Sequence, residues 1–172
     1  NKSDYQDCEG HDRKDYALPY GQDRVVEALA KANRNMVYVN ISGNAVAMPW
    51  LRQVPAVVQG WFIGSEAGEA LASVLVGDVS PSGKLPFTWP VALNDVGAHR
   101  LNAYPGVWRE DNKIIDEEYK EGIFVGYRWA EKEKIKPLFA FGHGLSYTTF
   151  KVGNVRADKT ELSGDGTITF TV

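Results

Sequence analysis

Met36-Val37-Tyr38-Val39-Asn40-Ile41 is the stretch that decides the fold class of this chain. The run is mostly apolar and rich in β-branched residues, as strands are. A strand that is covered on both faces in a parallel sheet is expected to be this apolar. The stretch therefore predicts a buried, parallel β-strand.

Helical patterns and a second strand-like run surround this stretch. On its N-terminal side, four apolar residues recur at helical spacing and predict a helix that residues 33–35 end: Val25, Val26, Leu29 and Ala32. On its C-terminal side, residues 56–62 predict a second strand, and a second helix follows, with Ser65 placed to cap its start and Gly77 its end. This βα alternation predicts an α/β fold with a mostly parallel sheet, whose ligands gather beyond the carboxyl ends of the strands.

The second half of the chain has a different character. Residues 104–146 mix charged and aromatic side chains without a sustained period and contain many turn residues, which indicates a connecting segment that wraps a surface. Farther on, residues 150–152 and 167–172 alternate at period two, and we expect strands there. One or two strands cannot stand alone, so we expect further chain beyond this end.

Composition and charge argue against several classes of function. The 19 Lys and Arg residues against 22 Asp and Glu leave a net charge of −3, and no basic stripe stands out, so no nucleic-acid partner is expected. No apolar run approaches the roughly 18 residues of a membrane helix, so no membrane partner is expected either. Residues 1–16 are too polar for a signal peptide. The compartment stays open, and a periplasmic or secreted parent protein is compatible with the sequence.

Metal and cofactor sites are not indicated. Cys8 and His11 have a spacing that could suit a metal, but His99 and His143 are scattered far along the chain and supply no second ligand pair. Residues 77–85 resemble a phosphate-binding loop, yet the glycines are one residue too far apart and the segment follows a helix instead of opening one. We interpret it as a helix stop and turn, and expect neither a metal nor a cofactor.

Glu9 is the candidate catalytic residue. It lies in residues 7–13 (Asp-Cys-Glu-Gly-His-Asp-Arg), a loop-like, glycine-containing setting close to the chain start. Carboxylates work in pairs in glycoside cleavage, one protonating the leaving oxygen and one attacking or activating water. From spacing alone, a solvated loop carboxylate is the commoner interpretation. A domain whose catalytic residue lies this close to the chain start is expected to be a fragment.

Six motifs, which follow one another along the chain in the family's order, resemble the C-terminal part of glycoside hydrolase family 3 enzymes of the β-glucosidase type. Residues 9–13 with the following Leu-Pro resemble the family's E-G-x-D-R…L-P segment, and residues 59–68 (QGWFIGSEAG) resemble its Q-A-W-Y-x-G-x-E-x-G stretch. Residues 77–86 (GDVSPSGKLP) resemble its G-D-x-x-P-S-G-K-L-P signature. The remaining motifs are residues 39–43 with the Pro-Trp pair that follows them, residues 122–129 and residues 139–150.

This resemblance implies both an architecture and an activity. It implies a partial (α/β) sandwich domain over residues 1–103, a connecting segment over 104–146, and the first strands of a fibronectin type III-like β-sandwich over 147–172. It also implies a retaining, exo-acting β-glycosidase that hydrolyses terminal non-reducing β-D-glycosyl residues of a β-glucoside or oligosaccharide. Glu9 would be the general acid/base, and the nucleophilic Asp would lie on an N-terminal barrel domain that these residues do not include.

Three further residues are candidates for the site. We expect Asp12 and Arg13 to pair with each other or with neighbours and so to hold the loop that presents Glu9. Trp61 is the tryptophan best placed to stack on a sugar ring, because it ends a predicted strand of the parallel sheet. Packing in a core or an interface is the commoner fate of a tryptophan, and this alternative stays open.

Two other classes of function also stay open. A non-catalytic module that binds carbohydrate or scaffolds another domain would not need the carboxylate of Glu9. A free-standing nucleotide-binding α/β domain is disfavoured, because no glycine-rich loop follows a strand and opens a helix.

Overall fold

The computed structural model describes Arg13 and residues 15–172. Glu9 and Asp12, like Cys8 and His11, lie outside the described residues. Helices and strands alternate in the first half of the described chain, in the order α1 (Gln22–Ala32), β1 (Val37–Asn40), β2 (Ala56–Gln59) and α2 (Ala67–Val76). The α/β class predicted from the sequence is therefore confirmed.

β1 and β2 form a parallel pair. Their register runs from Val37 opposite Ala56 to Asn40 opposite Gln59. The predicted parallel pairing is confirmed, but the predicted burial on both faces is not, since Val37 is about half exposed and only Asn40 of β1 is buried. In the part of the chain that the structure describes, this sheet has two strands, which leaves much of its surface uncovered.

The end of β2 and the start of α2 differ from the sequence-based expectation. β2 ends at Gln59, three residues early, because Trp61 adopts a left-handed backbone conformation with φ 52° that an extended strand cannot contain. α2 begins at Ala67, so Ser65 is not its cap, and no side-chain hydrogen bond caps this end. Gly77, with φ 89°, ends the helix as predicted.

The connecting segment contains regular structure of its own. A short helix, α3 (Gly97–Arg100), lies just before it. The segment itself holds the antiparallel hairpin of β3 (Val107–Arg109) and β4 (Ile114–Asp116) and the short helix α4 (Tyr127–Lys132). An exposed ion pair, Arg109 Nε to Asp116 Oδ2 at 2.6 Å, links the two strands diagonally. Exposed pairs of this kind contribute at most about 1 kcal/mol, so the hairpin depends mainly on its backbone ladder.

The C-terminal residues form less strand than their alternation predicted. The only ladder described there is a two-residue antiparallel pairing of β5 (Arg156–Ala157) with β6 (Phe170–Thr171). The strand predicted over residues 150–152 is wrong: these residues are exposed and have no ladder partner. Alternation alone does not make a strand, because the backbone donors and acceptors of a strand need a neighbour.

The core lies between α1, the two parallel strands and the loops that follow them. Its buried members are Leu18, Val26, Ala30, Val46, Met48, Trp50, Val54 and Trp89. Trp50 is fully buried, its indole Nε1 donates a hydrogen bond to Asp23 Oδ1 at 2.6 Å, and Tyr38 packs edge-on against it with ring centroids 4.5 Å apart. The buried indole thus joins α1 to β1.

α2 is covered much less than α1. α1 buries Val26 and Ala30, whereas α2 buries none of its residues and leaves Leu75 and Val76 exposed. None of the helices described is long and apolar enough to span a bilayer.

A segment that we call the strap, residues 138–147, runs alongside residues 80–89. The backbone N–H of Trp89 donates to Phe139 O at 2.9 Å. Leu85 makes two backbone hydrogen bonds to the strap. Its N–H donates to His143 O at 2.9 Å, and its carbonyl accepts from the N–H of Gly142 at 2.8 Å. Residues 85–89 therefore pair with the strap, with a β-bridge at Trp89 and Phe139.

The strap and the loop before Leu85 meet at two glycines. A Cβ on Gly144 would lie 2.1 Å from the carbonyl oxygen of Gly83, closer than any side chain can approach. Around this contact, Lys84 Nζ donates to the carbonyl of Gly144, and Ser146 Oγ donates to Pro81 O at 2.7 Å. The close approach explains physically why glycine stands at position 144.

Trp50→Phe is expected to lower the free energy of unfolding by about 2–4 kcal/mol, because it removes a part-buried hydrogen bond to a carboxylate and leaves unfilled space in the core. Trp108→Phe is the matched control, since Trp108 Nε1 also donates to a carboxylate, Glu110 Oε1 at 2.9 Å, but its side chain is 51% exposed. That control should change stability by no more than about 0.5 kcal/mol. Urea denaturation followed by circular dichroism measures both values, and equal losses would contradict the role assigned to Trp50.

Candidate active site

A cavity of about 610 Å³ lies beyond the carboxyl ends of β1 and β2. Residues 43–45, which follow β1, form one part of its wall, and Trp61, which follows β2, forms another. This edge of a parallel sheet is where α/β folds bind ligands, and the volume is typical of a small-molecule site.

The rest of the wall comes from residues near the chain start and from the second half of the chain. The N-terminal contribution consists of Arg13, Asp15 and Tyr16. The contribution of the second half consists of Phe87, Thr88, Pro90, Leu93, Asp95, Val96, Gly97, His99, Tyr104, Val125, Gly126, Trp129, Ala130, Ile135 and Pro137. Aromatic and aliphatic surface thus surrounds a few charged and polar groups, an arrangement suited to a ligand with both apolar faces and hydroxyl groups.

A buried polar network lies where the two strands end. Asn40 Nδ2 donates to Ser42 Oγ at 2.8 Å and to Gln59 Oε1 at 2.6 Å, and its Oδ1 accepts from Tyr38 OH at 3.0 Å. Ser42 Oγ in turn donates to the carbonyl oxygen of Asn44 at 2.7 Å. The network therefore connects the last residues of both strands to the loop that lines the cavity.

Two tyrosines near the cavity remain neutral. Tyr16 donates its hydroxyl hydrogen to Pro90 O at 2.8 Å, and burial raises the pKa of this phenol well above its usual value. Burial also raises the pKa of Tyr38, and the negative charge of Asp23 adds to the effect. Both phenols are therefore hydrogen-bond donors at ordinary pH.

Trp61 occupies a position between the cavity and the core. It lines the cavity, yet its ring also lies 5.8 Å from those of Phe87 and Trp89, measured between centroids. Trp61 thus both lines the cavity and packs on core rings, and its contact with a sugar stays a prediction. Its left-handed backbone turns the chain away from the strand direction directly after the sheet ends.

Arg13 also lines the cavity. Its Nη2 donates to the carbonyl of Ala17, and Asp15 Oδ1 accepts from the backbone N–H of the same alanine at 3.0 Å. The structure therefore brings Arg13 and Trp61 to one cavity. The other two predicted site residues, Glu9 and Asp12, lie outside the described residues.

The other tryptophans considered for sugar stacking have different positions. Trp50 is fully buried in the core, and Trp108 is exposed on the β3–β4 hairpin. Trp129 lines the cavity but is almost wholly buried, and it packs so closely on Gly97 that a Cβ there would lie 2.9 Å from the indole ring.

Several wall residues were not identified from the sequence. His99 and Tyr104 pack against each other with ring centroids 5.2 Å apart, and Asp95 Oδ2 accepts from the backbone N–H of Ala92 at 3.0 Å. All three belong to a stretch without periodicity, so no local pattern could have marked them. Among the described residues, no three His, Cys, Asp or Glu side chains form a group that could hold a metal ion.

Comparisons with known proteins agree on one family. The model of the glycosyl hydrolase family 3 C-terminal domain matches residues 1–127. Beta-glucosidase BoGH3A from Bacteroides ovatus is 50% identical over 174 residues, which cover 100% of this chain and 22% of that protein. Beta-glucosidase B from Emericella nidulans is 48% identical, with 90% of this chain and 19% of that protein covered. The chain thus spans about a fifth of the length of these curated relatives.

Solved structures agree as well. The β-glucosidase of Kluyveromyces marxianus, crystallised in complex with glucose, is 43% identical with a TM-score of 0.75, over 90% of this chain and 17% of that one. DesR, a β-glucosidase from Streptomyces venezuelae in complex with D-glucose, is 46% identical with a TM-score of 0.79, over 88% of this chain and 19% of that one. The resemblance drawn from the six sequence motifs is confirmed, and the chain belongs to glycoside hydrolase family 3, with its C-terminal domain matched over residues 1–127.

Proposed function

We propose that the full-length protein carrying this chain is a retaining, exo-acting β-glycosidase of the β-glucosidase type. Its substrate would be a β-glucoside or oligosaccharide with a terminal non-reducing β-D-glycosyl residue. The observation that carries this proposal is the identity of 50% with a β-glucosidase across the whole chain. The relatives are β-glucosidases by name, which supports this choice of sugar.

Glu9 is the proposed general acid/base. Its protonated carboxyl group would donate a proton to the glycosidic oxygen while an Asp on the barrel attacks the anomeric carbon. The resulting carboxylate would then take a proton from the water that hydrolyses the glycosyl ester. The first step requires a Glu pKa above its usual value of about 4.3, which burial or a second carboxylate nearby would supply.

The cavity supports this assignment of roles. Arg13, which lines the cavity, follows Glu9 by four residues, and four residues of extended chain span at most about 14 Å. Asp12 and Arg13 are proposed to hold the loop that presents Glu9. Trp61 is proposed to contact the sugar, since an aromatic face suits the apolar face of a pyranoside.

The division of the chain is part of the same proposal. Residues 1–103 would complete an (α/β) sandwich domain together with preceding chain, residues 104–146 would connect, and residues 147–172 would begin a fibronectin type III-like domain. The antiparallel pairing of β5 with β6 is compatible with the start of a β-sandwich.

Glu9→Gln in the full-length protein is expected to lower kcat for a β-glucoside with a poor leaving group by about 100- to 10,000-fold, the usual contribution of general acid–base catalysis. Turnover of 2,4-dinitrophenyl β-glucoside should fall much less in its first step, because that leaving group needs no proton. Pre-steady-state release of the phenol measures this step. Glu161→Gln, at an exposed position, is the matched control and should leave both rates unchanged.

Unchanged turnover in Glu9→Gln would contradict the proposal. It would instead favour a non-catalytic module that binds carbohydrate or scaffolds another domain. An equal loss with both substrates would refute proton donation as the role of Glu9, while leaving the enzyme class intact.

The 172-residue chain by itself is expected not to hydrolyse an aryl β-glucoside, because the proposed mechanism needs a second carboxylate about 5–5.5 Å away, on the barrel. The full-length protein, assayed at the same molar concentration, provides the positive control. Measurable turnover by the purified 172-residue chain would show that its own residues suffice, and the two-domain site would be wrong.

Trp61→Phe in the full-length protein is expected to raise KM about 2- to 10-fold with little change in kcat, since the smaller ring loses about 0.5–1.5 kcal/mol of stacking while still filling the core side. Trp108→Phe serves as the control for loss of an indole outside the cavity. A KM in Trp61→Phe equal to that of the control would assign Trp61 to packing alone.

A further inference from the structure

The polar network at the strand ends is fully satisfied. The amide of Asn40 uses its oxygen for Tyr38 and its two N–H groups for Ser42 and Gln59. The hydroxyl of Ser42 donates to the carbonyl of Asn44 and accepts from Asn40, with Gln59 Nε2 a further donor at 3.4 Å. A hydroxyl has one hydrogen and two lone pairs, so Ser42 has no hydrogen-bonding capacity left.

Burial makes any distortion of this network energetically costly. Asn40 is 3% exposed and Ser42 is 5% exposed. Water cannot replace a lost partner at such a position, so any movement that breaks one bond leaves a buried polar atom unsatisfied. The network therefore opposes movement of the chain on either side of it.

The two chain segments that the network fixes both line the cavity. Ser42 bonds directly to the loop of residues 43–45, and Gln59 lies two residues before Trp61. The backbone adds one cross-strand bond at this level, from Gly60 N–H to Asn40 O at 2.8 Å. Both walls are thus tied to a single group of side chains that does not itself line the cavity.

We propose that Asn40, Ser42 and Gln59 are positioning residues for the glycoside site. They hold residues 43–45 and Trp61 at a fixed separation, so that a sugar meets a preformed wall. This inference rests on the proposed glycosidase function. The alternative is that the network only stabilises the fold. Loss of a positioning role changes KM in the folded enzyme, whereas loss of a purely stabilising role changes only the free energy of unfolding.

Ser42→Ala in the full-length protein tests the positioning role. We expect kcat/KM for an aryl β-glucoside to fall about 10-fold or more, mainly through KM, because small displacements of binding groups far from the reacting atoms reduce catalysis strongly. Ser146→Ala is the matched control: its hydroxyl also donates to a backbone carbonyl at 2.7 Å, but neither Ser146 nor its partner Pro81 lines the cavity. That variant should keep kcat and KM within about 2-fold.

Gln59→Met provides a second, independent change. It keeps the length of the side chain and removes both polar atoms, so it should raise KM in the same direction as Ser42→Ala. It decides the question if Ser42→Ala does not fold, with folding checked by circular dichroism at the assay temperature.

The outcomes separate this inference from the proposed function. If KM changes no more in Ser42→Ala and Gln59→Met than in Ser146→Ala, while Glu9→Gln still lowers kcat for the poor leaving group as expected, the positioning role is wrong and the glycosidase proposal stands. If Glu9→Gln has no effect on turnover, the proposed function fails and this inference fails with it. A rise in KM confined to the two network variants, with kcat nearly retained, supports positioning.

Discussion

The packing of Trp89 is the constraint on which the rest of the structure depends. Its indole N–H donates to Val46 O at 2.9 Å, its backbone N–H donates to Phe139 in the strap, and its ring stacks on Phe87 with centroids 5.7 Å apart. One fully buried residue therefore joins, through its side chain and its backbone, the loop after β1, the chain that leads out of α2 and the strap. The cavity is bounded by the first two of these segments, through residues 43–45 and residues 87, 88 and 90, so the separation of those two walls follows from how they meet around this indole. Trp61 packs on the same ring, which ties the proposed sugar contact to the core.

The local parts of the fold could be predicted from local patterns. The apolar run of β1, the helical spacing of α1 and the glycine that ends α2 each depend on residues close in sequence. The lengths of β2 and of the C-terminal strands could not be predicted in this way. β2 is shortened by a left-handed residue that a composition rich in apolar residues does not reveal. The residues at 150–152 alternate correctly but have no neighbouring strand to pair with.

The same distinction applies to the candidate site. Parallel pairing predicted at which edge of the sheet the cavity would lie, and Trp61 could be predicted as a wall residue because it comes directly after a strand at that edge. Glu9 could be assigned a role only through its motif, because an isolated loop carboxylate carries no spacing signal. Asp95, His99 and Tyr104 come from an aperiodic stretch and reach the cavity through tertiary packing alone. The glycine-rich motif of residues 77–86, which resembles a phosphate loop, has a packing explanation instead, since the carbonyl of Gly83 lies against Gly144.

The end of the strap fixes the point from which the following residues leave the α/β layer. At its end, the backbone N–H of Tyr147 donates to Ser80 Oγ at 3.1 Å and its hydroxyl donates to the carbonyl of Val74 in α2. The chain therefore leaves the α/β layer from an anchored point and not through a free hinge. Residues 148–172 therefore start from a point held against α2 by Tyr147 and close to the contact between Gly83 and Gly144.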